Sequence, residues 1–211
     1  MKMCLMPARA GSKRITGKNV KNFLGMPIYQ RVLNEVEKCD FDDIVVSTDS
    51  EKILSECKYA KKRNPANATD SATLTDVVVE YLYNAENDPD YICLILPTAV
   101  FATAEDIAKG GSMIEHCDCV ATFCKDPHPI ERAFISKWGY MEMRNTKHAF
   151  TQTQGIRESY YDAGQFYWIN VKSFRKQGKI FMDKTAPIIV EAVDIDTPED
   201  WIKAEALYGA R

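Results

Sequence analysis

The stretch KMCLMPARAGSKRITGKN, residues 2–19, joins a short apolar run to a basic loop that contains two glycines. The apolar part, residues 2–6, predicts a buried strand. The loop that follows carries four cations, Arg9, Lys13, Arg14 and Lys18. Small residues let a backbone approach a ligand closely, and clustered cations bind phosphate. This strand and loop therefore predict an anion site at the end of a strand.

The spacing of the loop excludes the two commonest phosphate motifs. A Walker loop has four residues between its first glycine and its Gly-Lys pair, whereas five residues separate Gly11 from Gly17, and Asn19 follows Lys18. The GxGxxG pattern of dinucleotide sites is also absent from the sequence. A different phosphate loop and a solvated basic turn both remain open on these residues alone.

Strand and helix signals alternate along the rest of the chain. Apolar or β-branched runs predict strands at 43–48, 91–97, 118–124, 165–171 and 186–196. Between them, Pro27 and the Thr-Asp pairs 73/76, 103/106 and 197/200 indicate helix starts. We therefore predict a three-layer α/β fold with a mostly parallel sheet, helices on both faces and the ligand site at the carboxyl ends of the strands.

The pattern changes after residue 130. RAFIS and YMEMR flank Lys137-Trp138-Gly139 and predict a small hairpin insertion within residues 131–145. The polar stretch 145–164 has weak periodicity, and we predict a loop or lid there.

Composition limits the classes of protein to consider. The chain has 211 residues, 45% of them hydrophobic, which is enough for one buried core, and we predict a single domain over residues 1–211. No apolar stretch approaches the length of a membrane span. The seven cysteines form no CxxC pair and suit a reducing compartment. We expect a cytoplasmic protein without a membrane partner.

Charge is unevenly distributed. Residues 1–34 contain seven Lys or Arg and no Asp or Glu, although the whole chain has a net charge of −3. A basic arm for nucleic acid is one interpretation of this asymmetry. Because the cations alternate with Gly, Ser, Thr and Asn and lead into apolar periodicity, we favour a loop folded around a small anion and expect no nucleic-acid partner.

The stretch VDIDTPED, residues 193–200, supplies paired acids. Asp194 and Asp196 stand two apart in a predicted strand, so their carboxylates would leave the same face. Like charges so placed repel each other, and a divalent cation relieves the repulsion. Two solvated acids are the alternative. Asp200 is better explained by a capping box with Thr197.

Two other constellations are weaker. Cys117, Cys119, Cys124 and His128 lie close in sequence, but a strand of buried thiols accounts for three of them, and Cys-x-Cys is not the usual zinc spacing. No GxSxG elbow accompanies the three histidines, so a serine hydrolase has no support.

PARAGSKRITGKN resembles the opening loop, P-A-R-x-G-S-K-x-x-x-x-K-N, of the cytidylyltransferases that activate nine-carbon acidic sugars, the CMP-sialic acid synthetase family. Similar blocks follow in the family's order: VSTDSEKI at 46–53, Arg63 in KRNP, LPTA at 96–99 and DIDTPEDW at 194–201. YYDAGQFYWI, residues 160–169, resembles the pseudaminic acid branch. Leu96 stands where sialic acid synthetases usually have glutamine, which agrees with that branch. The resemblance covers the chain nearly end to end.

The resemblance implies a Rossmann-like nucleotide-diphospho-sugar transferase fold and a homodimer with its contact near 131–145. It implies that CTP and a nonulosonic acid, above all pseudaminic acid, react to give the CMP-sugar and pyrophosphate, with Mg²⁺ as cofactor. Asp194 and Asp196 would be the metal ligands and, with Arg9 and Lys18, would carry catalysis. The nucleotide would contact Arg9, Ser12, Lys13, Lys18, Asn19 and Arg63.

An acidic nine-carbon sugar presents a carboxylate, hydroxyls and N-acyl groups. We expect Asp162 and Gln165 of DAGQ to contact it, together with Gln154 and Tyr160; a turn role for Asp162 is the alternative. Two other functions stay open. One is the same reaction on sialic, legionaminic or 3-deoxy-octulosonic acid, and the other is a non-catalytic nucleotide-sugar binding module, which would not need paired metal ligands.

Overall fold

The computed structural model describes residues 1–86 and 88–211. The strands of its main sheet are β1 (Lys2–Pro7), β4 (Asp43–Thr48), β5 (Ala60–Lys62), β6 (Tyr91–Ile95), β7 (Cys119–Lys125), β10 (Tyr160–Asn170) and β11 (Thr185–Ile189). Two small sheets pair β2 (Asn22–Phe23) with β3 (Met26–Pro27) and β8 (Phe134–Lys137) with β9 (Tyr140–Met143). The helices are α1 (Ile28–Val36), α2 (Glu51–Glu56), α3 (Leu74–Asn84), α4 (Ala104–Met113), α5 (Val171–Gln177) and α6 (Pro198–Gly209).

The main sheet confirms the prediction of a mostly parallel α/β fold. Its strand order is β11-β7-β10-β6-β1-β4-β5. β1 runs parallel to β4 and β6, β4 to β5, and β7 to β11, whereas β10 is antiparallel to both of its neighbours. The carboxyl ends of β1, β4 and β6 therefore meet at one edge, from which the basic loop leaves.

Helices cover both faces of this sheet, as predicted. Ile28 of α1, Ile107 of α4 and Trp201 of α6 belong to one buried cluster. Val77 of α3 and Phe174 of α5 belong to a second cluster on the opposite face. Across the described residues, every helix is too short or too polar to traverse a bilayer.

Capping residues explain where the helices begin. Thr73 and Asp76 form a capping box at α3, as Thr197 and Asp200 do at α6. The Asp200 carboxylate accepts from the Thr197 backbone amide at 3.0 Å, and the Asp200 amide donates to the Thr197 hydroxyl at 3.2 Å. These reciprocal bonds satisfy amides that a helix leaves unpaired, which confirms a structural role for Asp200.

The predicted hairpin insertion is present as β8 and β9. Trp138 (φ 54°) and Gly139 (φ 84°) make its two-residue turn, in which both positions need positive φ. The hairpin forms its own small sheet instead of extending the edge of the main one.

Most predicted strand bounds agree within two residues, and two of them differ by more. The strand predicted over 186–196 ends at Ile189, because its partner β7 pairs with it only as far as Phe123 and ends at Lys125. Beyond it the backbone carbonyls of Glu191 and Ile195 accept from the Arg211 and Lys18 side chains. Asp194 and Asp196 are therefore not strand residues. The strand predicted over 165–171 starts earlier than expected. As β10 it begins at Tyr160, inside the predicted loop 145–164, because residues 160–162 pair with β7 before a break in register.

Replacing Gly110 by alanine should destabilise the fold. A Cβ there would lie 2.5 Å from Cδ1 of Trp168, and this indole is held by stacking on Phe41 and by a 3.0 Å hydrogen bond to the Ile107 carbonyl. Overpacking costs about 1–3 kcal/mol, which exceeds the roughly 1 kcal/mol that alanine gains in a helix. Urea unfolding should show a loss for Gly110→Ala and none for Gly209→Ala, where a Cβ meets no atom within 4 Å. Equal stability of the two variants would contradict this packing.

Candidate active site

The basic loop is fixed to the sheet at its start. The amide of Ala8 donates to the Ser47 carbonyl at 2.9 Å, and that of Ala10 donates to the Asp49 carboxylate at 2.6 Å. The loop ends at Gly17, whose φ of 61° precedes the 3₁₀ helix Lys18–Val20. Glycine adopts this left-handed conformation without the steric cost that a Cβ brings. The turn directs Lys18 and Asn19 back towards the end of β1.

A cavity of about 200 Å³ opens beside this loop. It brings together four of the six residues predicted to bind the nucleotide, namely Arg9, Lys18, Asn19 and Arg63. The other walls come from the end of β1, the segment 67–77 and the Leu96-Pro97-Thr98 stretch after β6. Ser12 and Lys13 lie on the loop but do not line the cavity.

Asn19 and Arg63 are buried polar groups of this cavity, 7% and 4% exposed. The Asn19 amide nitrogen donates to the Arg9 carbonyl at 2.8 Å, while its Oδ1 has no hydrogen-bond partner among the described residues. Arg63 donates to the Ser47 hydroxyl (3.0 Å) and carbonyl (2.7 Å), and burial lowers the pKa of its guanidinium. A buried acceptor without a partner is costly, so this cavity fits a ligand that donates an N–H or O–H.

Lys18 connects the cavity to the acidic segment. Its Nζ donates to the Ile195 carbonyl at 2.7 Å and lies 3.3 Å from Oδ1 of Asp196. Arg14 approaches the same oxygen at 3.0 Å. Lys18, a predicted phosphate cation, and Arg14 are thus paired with Asp196, one of the two predicted metal ligands.

The carboxylate of Asp194 is crowded although the residue is exposed. Partial desolvation by neighbouring atoms, followed by repulsion from Asp196, raises the pKa of Asp194. Gly164 (φ 60°) packs against it so closely that a Cβ there would lie 3.1 Å from Cγ of Asp194. No group of three or more His, Cys, Asp or Glu within residues 1–86 and 88–211 is arranged to hold a metal ion. Asp194 and Asp196 are therefore a pair of candidate metal ligands and not part of a larger ligand cluster among the described residues.

Asp162 is held rigidly next to this pair. One of its oxygens accepts from the buried Tyr167 hydroxyl at 2.6 Å, and the other accepts from the Gly164 amide at 3.0 Å. Its charge also contributes to the raised pKa of Asp194. Tyr167 is buried, as its place in the apolar run predicts, but its hydroxyl reaches into the site. Periodicity identified the buried ring and could not identify this contact.

The other predicted sugar contacts are placed differently. Tyr160 is exposed at the start of β10, and its hydroxyl donates to Glu158 at 2.8 Å. Gln154 is exposed in the 3₁₀ turn Thr153–Gly155. Gln165 is 1% exposed, and its amide bonds to the Phe101 amide and the Ala163 carbonyl. Protein groups thus engage both ends of its amide. The contact of Gln165 with a sugar stays a prediction.

Asp70 is part of the site, although sequence reasoning did not identify it. It lies 2.9 Å from Nη1 of Arg9 and 2.5 Å from Nζ of Lys13. Hydrogen bonds from Lys13 and then Arg9 lower the pKa of its carboxylate. Arg9 is 61 residues away in sequence, so no local motif marks this acid.

Comparisons with known proteins identify the family of this chain. Residues 3–208 match the family model described as Cytidylyltransferase. The chain is 30% identical to the pseudaminic acid cytidylyltransferase of Campylobacter jejuni (strain 81-176) over 98% of this chain and 95% of that one. It is 27% identical to the N-acylneuraminate cytidylyltransferase of Streptococcus agalactiae serotype V (strain ATCC BAA-611 / 2603 V/R), over 95% of this chain and 51% of that longer protein.

A solved structure supports the fold. The CMP:2-keto-3-deoxy-manno-octonic acid synthetase complexed with CTP superposes with a TM-score of 0.71 at 15% identity, covering 99% of this chain and 98% of that one. The family match spans nearly all of the chain and includes the basic loop, the cavity walls and the paired acids. This protein belongs to the cytidylyltransferase family.

Proposed function

We propose that this protein, as one domain over residues 1–211, transfers the CMP group of CTP to a nonulosonic acid, above all pseudaminic acid, and releases pyrophosphate. The observation that carries the proposal is the position of Lys18. It lines the cavity of about 200 Å³ and at the same time bonds to the Ile195 carbonyl and the Asp196 carboxylate. Nucleotide phosphate and paired acids would therefore meet at one side chain.

The cavity suits the nucleoside part of CTP. The buried Asn19 Oδ1 lacks a donor among the described residues, and a cytosine amino group or a ribose hydroxyl would supply one. Arg63 gives the same cavity a buried cation. Arg9, Ser12, Lys13 and Lys18 would then bind the phosphates, because the loop that carries them leaves the cavity rim.

Asp194 and Asp196 fit a magnesium ion. Mg²⁺ usually takes one or two protein carboxylates and completes its shell with substrate phosphate and water. Desolvation and then repulsion from Asp196 raise the pKa of Asp194, and a bound cation would relieve the repulsion. Bound there, Mg²⁺ would supply positive charge for the phosphates. This assignment requires Asp196 to give up part of its pairing with Arg14 and Lys18.

The proposed transfer is a displacement at the α-phosphorus. The anomeric oxygen of the sugar forms the new O–P bond, the bond to the β-phosphate oxygen breaks, and the hydroxyl proton leaves to solvent. Arg9 and Lys18 would hold the phosphates in line and stabilise the negative charge that develops on the departing pyrophosphate. The protein contributes mainly position and charge to this step.

The sugar would lie against the end of β10. Asp162 is fixed by Tyr167 and Gly164, so its free lone pairs have a defined direction for a substrate N–H or O–H. Tyr160 stands two residues away on the same strand, and Gln154 would approach from the adjoining turn. The name of the Campylobacter relative favours pseudaminic acid among the acid sugars.

We further propose a homodimer formed through the β8–β9 hairpin. Phe134, Trp138, Tyr140 and Met141 of this hairpin are 55%, 88%, 80% and 70% exposed. A lone two-stranded hairpin is marginally stable in water, and large apolar side chains exposed on it indicate a partner. We also propose that the protein acts in the cytoplasm. Reducing conditions there keep thiols such as the seven free cysteines of this chain unpaired.

Charge on the hairpin should separate the proposed dimer. Phe134 and Met141 share one face of the hairpin, and a Phe134→Glu, Met141→Glu double variant would bury repelling carboxylates in the contact. Sedimentation equilibrium should give the mass of two chains for the wild type and of one chain for the variant. Ile202→Glu, which changes an exposed apolar residue of α6, should remain dimeric. A monomeric wild type or a dimeric double variant would overturn the assignment.

Pyrophosphate release tests the activity itself. The purified protein with CTP and Mg²⁺ is mixed separately with pseudaminic, legionaminic, N-acetylneuraminic and 3-deoxy-octulosonic acid. We expect release that requires both CTP and a sugar and is fastest with pseudaminic acid. Release with another sugar alone would reassign the substrate. Absence of release with all four would favour a binding module.

A further inference from the structure

The cations of the basic loop are already occupied by acids of the protein. Asp196 holds Arg14 and Lys18, at 3.0 and 3.3 Å. Asp70 holds Arg9 and Lys13, at 2.9 and 2.5 Å. A polyphosphate that uses the loop therefore competes with these carboxylates for the same cations.

Asp70 lies in a different segment of the chain from Asp196. It belongs to the segment between the 3₁₀ helix Pro65–Asn67 and α3, and three residues around it, Asn67, Ala72 and Thr73, line the nucleotide cavity. The acid is thus carried by the cavity wall that faces the loop. It lies outside the acidic segment 194–196.

The Asp70 pairs are accessible to solvent. The side chains of Asp70 and Lys13 are 48% and 85% exposed, so the ion pairs are screened by water and exchange readily with a competing anion. An aspartate is charged at neutral pH, and the hydrogen bonds from Lys13 and then Arg9 lower the pKa of Asp70 further. The Asp70 carboxylate is therefore charged at neutral pH and pairs reversibly with Arg9 and Lys13.

We propose that Asp70 competes with polyphosphate for Arg9 and Lys13 and so weakens the hold of the loop on pyrophosphate. This inference rests on the proposed function. CTP displaces Asp70 when its β- and γ-phosphates bind; once pyrophosphate is formed, Asp70 returns to the two cations and promotes release of this product. CMP, which lacks the outer phosphates, leaves the Asp70 pairs intact.

Calorimetric binding of inorganic pyrophosphate, CTP and CMP to Asp70→Asn tests the proposal. Removing the competing charge should tighten pyrophosphate and CTP by about three- to tenfold, as expected for two exposed ion pairs, and should change CMP by less than about twofold. Pyrophosphate should also become a stronger product inhibitor by the same factor. Asp70→Glu, which keeps the charge, should remain near the wild type.

Asp88→Asn is the matched control, because Asp88 makes a surface pair with Arg175 at 2.7 Å and should leave all three affinities unchanged. Weaker or unchanged pyrophosphate binding in Asp70→Asn, with a melting curve like that of the wild type, would overturn the proposal; it would show that Asp70 only supports the loop. Pyrophosphate binding is read without sugar, so failure of this inference and failure of the transfer activity are separate results.

Discussion

Replacing Asp196 by asparagine should reduce turnover by about a thousandfold while CTP still binds. Asparagine keeps the shape of the side chain but removes the charge that would hold the metal and that now pairs with Arg14 and Lys18. The cavity groups Asn19 and Arg63 are untouched. We therefore expect the loss in kcat, measured as pyrophosphate release at saturating CTP. The CTP dissociation constant, measured by calorimetry without metal, should stay the same or fall, because the substitution frees Arg14 and Lys18 for the phosphates.

Asp194→Asn should behave in the same way, and Glu199→Gln is the control for both. Glu199 is an exposed acid in the first turn of α6, only three residues from Asp196, and its loss should leave turnover unchanged. Turnover of Asp196→Asn within tenfold of the wild type would refute its role as a metal ligand. Loss of CTP binding in metal-free buffer would instead show that Asp196 organises the loop.

Replacing Lys18 by methionine should lower kcat/KM by about a hundred- to a thousandfold, the usual cost of losing one electrostatic donor at a reacting group. Methionine keeps the apolar stem but leaves the Ile195 carbonyl without its 2.7 Å donor and Asp196 without one of its cations. The phosphates would lose the same charge. Initial rates over a range of CTP concentrations provide the measurement.

Lys21→Met is the matched control for this variant. Lys21 is three residues further along, and its Nζ lies 4.4 Å from the centre of the Trp201 ring, apart from the cavity lining. Its replacement should change kcat/KM less than threefold. Equal losses in both variants would mean that positive charge anywhere in this region suffices and that the contacts of Lys18 are not special.

The fold could be predicted because its signals are local. β4 has the predicted bounds, 43–48, since a β-branched run between acids determines both of its ends. The capping boxes of Thr73 and Thr197 likewise depend on residues three apart. The end of β11 could not be predicted, because it depends on where the distant partner strand β7 ends, at Lys125, and not on the residues of β11 itself.

The site was predictable in part for the same reason. The loop cations and the two acids are clustered in sequence, and the structure joins them through Lys18. Asp70 was missed because its partners come from a distant segment. The sequence could not show that Asn19 Oδ1 is buried without a hydrogen-bond partner among the described residues, and this feature is what indicates a ligand donor. Gln165 is the opposite case. Its sequence position, three residues after Asp162, suggested a ligand contact, but its amide is hydrogen-bonded inside the protein.

Competition between sugars tests the central claim most directly. The wild-type protein is given limiting CTP, Mg²⁺ and an equimolar mixture of pseudaminic, legionaminic, N-acetylneuraminic and 3-deoxy-octulosonic acid, and the CMP-sugars are separated and identified by NMR. We predict that CMP-pseudaminic acid predominates and that pyrophosphate forms in equal amount. A different predominant CMP-sugar, or CTP recovered unchanged, would contradict the account.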